Sequence, residues 1–218
     1  MCASVLSRGS GGPVTRRRGE VTAEEYLARR AADPVLRAQD EAAAARHAAL
    51  VDELIRAQQP LVSDLNVAGA NVASVWDLVN TRDTYPHLVP VLIDHLPRDY
   101  PPAIRDGIAR ALAVPTAHPW WPLLVDQYLA ADQNRVQQGL AVAVAAAAQG
   151  EDLPRLKELI ADRNVGETRA LLLDAVKRLG GEEGISFIAD HADDPELAHT
   201  AQQIVKRAER SRARRQAR

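Results

Sequence analysis

The chain has 218 residues, of which 46% are hydrophobic and only 4% aromatic, and its net charge is −2. That apolar content excludes a wholly disordered chain and suffices for a sizeable core, and no run approaches the roughly 18 consecutive apolar residues of a membrane span. Cys2 is the only cysteine, which excludes an intramolecular disulfide and a Cys-rich zinc site and predicts a reduced, cytoplasmic setting.

Charge is distributed unevenly. Residues 1–20 sum to +3 and residues 204–218 to +6, which leaves −11 on residues 21–203. An acidic body repels phosphate, so contact with nucleic acid is expected only nonspecifically, through the basic tails, and membrane association is not expected. The bias toward Arg and Ala points to a high-GC bacterial source, in which a start read from a GTG codon at Val14 or Val21 is an expectation.

In chain order, residues 1–20 lack periodicity, apolar surface and a signal-peptide core, and are expected to be a disordered extension. Thr22 with Glu25 forms the pattern of a capping box that opens a helix to about Ala32. Asp33 followed by Pro34 restarts the helix, which runs to about Gln59 with Leu36, Ala43, His47, Leu50 and Leu54 on one stripe. Residues 21–60 therefore read as a helical arm with a thin, mostly alanine, apolar face.

From Tyr85 onward the chain repeats. Pro90, Pro122 and Pro154 are 32 residues apart, as are Leu92, Leu124 and Leu156, and Asp94, Asp126 and Glu158. The same offset relates Ile108, Leu140 and Leu172; Ala111, Ala143 and Ala175; and Leu112, Val144 and Val176. A period shared by two segments of each unit is the pattern of a helical hairpin, with helix A beginning at the proline and helix B about a dozen residues later. The units are roughly 88–112, 120–148 and 152–179. A shorter fourth unit is expected, in which Ile188 echoes Ile160 and Val205 echoes Val176, and residues 61–65 with 72–79 read as a degenerate first one.

The fold class read from this pattern is all-α: an α-solenoid of antiparallel helical hairpins over 61–209, preceded by the N-terminal helical arm and followed by a basic tail, 210–218. The early proline of helix A, the Asp-containing turn and the small-residue and Leu pattern of helix B resemble HEAT repeats, in the short bacterial variant similar to the phycobilisome-lyase group. That resemblance implies a superhelix with helix B on the concave face and, most often, protein binding.

Repeat register also sorts core from surface. Trp121 shares its register with Val89 and Leu153 and is expected in the core, as is Trp76 in its VWDLV run. Trp120 shares its register with Leu88 and Asp152, so partial exposure and a binding contact are expected there. On helix B, Arg105, Gln137 and Arg169 occupy one register, and Asp106, Gln138 and Ala170 the next. Arg105, Gln137, Gln138, Arg169 and Trp120 are therefore the candidate binding residues, an Arg/Gln row suited to an acidic or polar protein partner. Gly139–Ala148, GLAVAVAAAA, has no polar face, so neighbouring helices, the arm or a partner are expected to cover it.

Enzyme signatures are weak. The six histidines, at 47, 87, 95, 118, 191 and 199, form no HExxH pair, and no Walker loop, GxGxxG or GxSxG is present. No catalytic residue, metal or cofactor is expected, and the partner is expected to be a protein. The alternative is an enzyme on a HEAT scaffold. An alkylated-base DNA glycosylase, with Trp120 and Asp126 as counterparts of that family's aromatic and carboxylate, or a chromophore lyase would be of that kind.

Overall fold

The computed structural model describes residues 22–216, so the expectation of disorder for residues 1–20 lies outside the described residues. Every regular element among the described residues is a helix, which makes the protein all-α. No described helix is long and apolar enough to cross a membrane. The described residues form two units, the first ending at Leu50 and the second beginning at Val51.

In the first unit, α1 (Ala23–Ala32) begins at the expected capping box: the Thr22 amide donates to Glu25 Oε2 at 3.0 Å and the Glu25 amide to Thr22 Oγ1 at 3.1 Å. The Asp33 carboxylate then accepts from the Val35 amide at 2.8 Å and opens α2 (Pro34–Ala57). Arg30 Nε donates to Asp40 Oδ2 at 2.7 Å and so pins α1 to α2. No residue of α2 is buried; Leu50 is exposed where the first unit ends, as are Val51 and Ile55 on the part of the helix that belongs to the second.

The second unit carries the repeats. Helix α3 is Gln59–Val67 and α4 is Val75–Asn80, with Leu61, Val62, Leu65, Val75 and Leu78 buried as a first pair. Helices α5 (Val89–His95), α7 (Trp121–Ala130) and α9 (Leu153–Ala161) each carry proline as their second residue, where a missing amide costs nothing because first-turn amides have no helical partner. Short 3-10 turns precede all three, at Pro86–Leu88, Pro115–Trp120 and Gly150–Asp152. The partner helices are α6 (Pro102–Ala111) and α8 (Asn134–Ala147). In the third unit the partner begins as a 3-10 segment, Glu167–Leu172, and continues as α10 (Leu173–Asp190).

The 32-residue register is a core register. Leu92, Leu124 and Leu156 are fully buried, as are Ile108, Leu140 and Leu172, and Leu112, Val144 and Val176, whereas Asp94, Asp126 and Glu158 are exposed. Burying one such Leu contributes about 1.5–3 kcal/mol, so three at each register give the unit a continuous apolar spine. Helix α6 packs between α4 and α8, and α8 packs between α6 and the 3-10 segment. The apolar stretch of α8 is thus covered by neighbouring helices, with only Val142, Ala145 and Ala146 partly accessible. Trp121 is buried as expected, whereas Trp76 keeps part of its ring accessible, with the Arg135 guanidinium 5.9 Å from the ring centre.

Gly181 marks a break: it sits at φ +53°, and α10 changes direction there. Helix α11 (Ala198–Gln216) packs on α10 and keeps the basic segment helical as far as Gln216. The fourth unit requires one correction. Ile188 is buried like Ile160, an offset of 28, but Val205 is only half-buried and the buried counterpart of Val176 is Ile204. One residue of slip turns a helix by about 100°, so both segments must keep the same offset of 28 to face one core.

Aromatic donors close the helix ends. Tyr85 donates its hydroxyl to the Ala111 carbonyl at 2.9 Å, and Trp121 Nε1 donates to the Val144 carbonyl at 3.0 Å, in the last turns of α6 and α8. The Val144 carbonyl also accepts from the Ala148 amide at 3.2 Å, whereas the Ala111 carbonyl ends α6, where the helix leaves its last carbonyls without an amide partner. Tyr85→Phe is expected to lower stability by about 1 kcal/mol in urea denaturation, and an unchanged midpoint would show that water serves that carbonyl equally well.

Candidate binding groove beside helix α8

Along the α4, α6 and α8 packing, the spacing is set by two glycines of one register. A Cβ on Gly107 would lie 2.6 Å from Val75 Cγ1, and one on Gly139 would lie 2.6 Å from Asp106 Oδ1 and 3.1 Å from its carbonyl oxygen. Asp106 is buried at that crossing, accepting from Arg110 Nε at 2.7 Å and from Arg135 Nε at 2.9 Å. A buried carboxylate needs such partners, since an unpaired one costs several kcal/mol. Arg110 pairs with Asp106 within α6, and Arg135, on α8, ties the two helices together while much of its side chain stays in water.

The third member of the glycine register is Leu171, 41% exposed. Here the chain winds as a 3-10 segment instead of an α-helix, and a groove of about 410 Å³ separates it from α8. Val142, Ala170 and Leu171 supply its apolar lining, and Arg110, Gln138, Glu167 and Glu196 its polar lining. Thr168, also at its wall, bridges Tyr128 and Gln137: the two hydroxyl oxygens are 3.0 Å apart, and Thr168 Oγ1 donates to Gln137 Oε1 at 3.2 Å. Burial raises the Tyr128 phenol above its ordinary pKa, so it is a neutral hydrogen-bonding group at physiological pH.

Of the candidate residues, Gln138 lines this groove, with Nε2 donating to Asn134 Oδ1 at 3.2 Å. Gln137 is half-buried and engaged by Thr168, and Trp120 is half-buried against the core where α7 begins. Arg105 is half-buried, with Nε enclosed and without a hydrogen-bond partner. The expected open Arg/Gln row is corrected most clearly at Arg169, which is 1% exposed. Its Nη1 donates to the Ile160 carbonyl at 2.7 Å, its Nε to the Gly166 carbonyl at 2.9 Å, and its Nη2 to Asp194 Oδ2 at 3.3 Å and to Glu196. The cause is local: the 3-10 winding turns residue 169 inward, to where the Asp194 turn before α11 offers carboxylates.

The groove residues the sequence reading passed over are Arg110, Glu167, Thr168, Leu171 and Glu196. The repeat offset could have found one of them, because Gly107, Gly139 and Leu171 break a small-residue register at its third member. The groove is also chemically mixed: Arg110 is engaged by Asp106, Glu196 is paired with Arg169, and Glu167 accepts from Asn134 Nδ2 at 3.0 Å but pairs with no cation among the described residues. A second cavity, of about 330 Å³, lies among residues 69–88; its Asp77 is occupied by the Ala73 and Ser74 amides. Among the described residues, no group of three or more His, Cys, Asp or Glu is placed to hold a metal ion. Compared with known proteins, the chain matches no family model, no curated protein and no solved structure.

Proposed function

We propose that the second unit is a solenoid of HEAT-like hairpins and that the protein is a noncatalytic binding module, a scaffold or adaptor, which holds a segment of a protein partner in the groove beside α8. The 32-residue register and the prolines at the start of α5, α7 and α9 support the solenoid. The observation that carries the binding role is Leu171, a large apolar side chain left 41% exposed in a groove also lined by Glu167 and Glu196. Water gains by leaving that side chain, and Glu167, which pairs with no cation among the described residues, favours a cation beside it. The partner segment therefore presents a Lys or Arg next to apolar side chains, rather than the acidic face that an open Arg row would have required. The Glu167 carboxylate also repels phosphate, which disfavours a nucleic-acid enzyme at this groove.

Selection of a displayed peptide library on the full-length chain tests this. The enriched peptides are expected to carry a basic residue flanked by apolar ones, with affinity falling at least tenfold for Leu171→Asp and for Glu167→Lys, about 1.4 kcal/mol or more. Both positions are exposed, so both variants should melt like the parent. Peptides that bind the two variants as tightly as the parent would place recognition elsewhere.

A further inference from the structure

Helix α11 carries a second surface of opposite character. Ala201, Ile204 and Ala208 are buried on the side that meets α10, while Lys206, Arg207, Arg210 and Arg214 are all exposed. At 100° per residue these four fall within an arc of about 100°, centred about 140° from the packed side. They form one outward stripe about 12 Å long, at 1.5 Å per residue. None of the four makes an ion pair among the described residues, whereas Arg212, off the stripe, pairs with Glu182. The only acid of α11 is Glu209.

Four unpaired cations on one face repel one another. The helix dipole favours Arg214 in the last turn, but its effect fades within a turn and does not reach Lys206, Arg207 and Arg210. A partner with closely spaced negative charges removes the repulsion. Duplex nucleic acid offers one phosphate per about 1.7 Å of axis, so the stripe spans about seven. The stripe has no aromatic side chain on which a single-stranded base could stack, and no large apolar one to enter a lipid headgroup layer. Arg predominates, the residue whose planar fork matches phosphate oxygens.

We propose that the outward face of α11 is a sequence-independent binding surface for the phosphate backbone of duplex nucleic acid, separate from the groove beside α8. The stripe docks through Lys206, Arg207, Arg210 and Arg214, and the acidic body keeps the rest of the protein off the duplex. Binding is then electrostatic, reversible and indifferent to base sequence.

Fluorescence anisotropy of the full-length chain with a labelled 30-base-pair DNA of arbitrary sequence, titrated across NaCl concentrations, reads this directly. Four phosphate contacts predict a slope of about −3.6 in log Kobs against log salt. The quadruple variant Lys206→Gln, Arg207→Gln, Arg210→Gln, Arg214→Gln should flatten that slope by about the same amount and melt like the parent, since the packed side of α11 is untouched. The single variant Arg210→Glu should weaken binding severalfold, and serves as a check that needs no multiple replacement. A duplex RNA of the same length distinguishes the two sources of the backbone. No binding at low salt, tighter binding to single strands, preference for anionic vesicles over duplex, or undiminished binding by the quadruple variant would each overturn the proposal.

Discussion

Arg169→Ala is expected to cost about 3 kcal/mol or more in chemical denaturation, because it removes the partner of a buried carboxylate and the donor to two carbonyls at once. Asp194 is 7% exposed, and after the substitution only Arg163, whose side chain lies mostly in water, remains beside it. Arg169→Glu should be worse, since it would face Asp194 and Glu196 with a like charge. The pH dependence carries the same sign. Desolvation pushes the Asp194 carboxyl up, but the Glu196 amide and the Arg169 and Arg163 charges together hold its pKa below the ordinary carboxylate value. A depressed folded-state pKa contributes stability that is present above the unfolded-state value, near 3.9, and lost as pH falls through the folded one. The Arg169→Ala protein should therefore lose less stability than the parent on acidification below about pH 4. A variant as stable as the parent at pH 7 would show that Arg169 is a surface residue after all.

Gly139→Leu, which copies Leu171 into the 120–148 repeat, is expected to destabilise by about 2–3 kcal/mol. Even the first carbon of the new side chain meets the Asp106 carboxylate and backbone, so α8 must move off α6, and the Arg135 bridge to Asp106 is stretched with it. The converse substitution, Leu171→Gly, should leave the core packing intact, because that side chain is already 41% exposed. Equal effects from the two substitutions would mean that the register has no bearing on helix spacing.

The helical elements and the spine of the second unit were legible because one physical rule, burial at a fixed helical register, acts three times over. Leu92, Leu124 and Leu156 recur for the same reason that they are buried. The capping signals at Thr22 and Asp33 were legible because a cap is a contact within four residues. What failed was the assumption that one register means one environment. Arg105 and Arg169 are 64 residues apart in a 32-residue repeat, yet Arg169 is drawn inward by Asp194, on a turn no repeat arithmetic connects to it. The groove was invisible for a related reason. It exists because the third partner helix begins as a 3-10 segment, a departure from the repeat rather than an instance of it. The slip at Val205 is the same lesson on a smaller scale, since a short sequence echo does not fix an offset as burial does.

Amide chemical-shift mapping of the full-length chain, titrated with a library-selected basic and apolar peptide, tests the proposed binding role most directly. The account predicts that the largest shifts fall on Gln138, Val142, Ala170 and Leu171, with those of Lys206–Arg214 unmoved. Shifts confined to the exposed apolar side of α2, or to the cavity of residues 69–88, would contradict it.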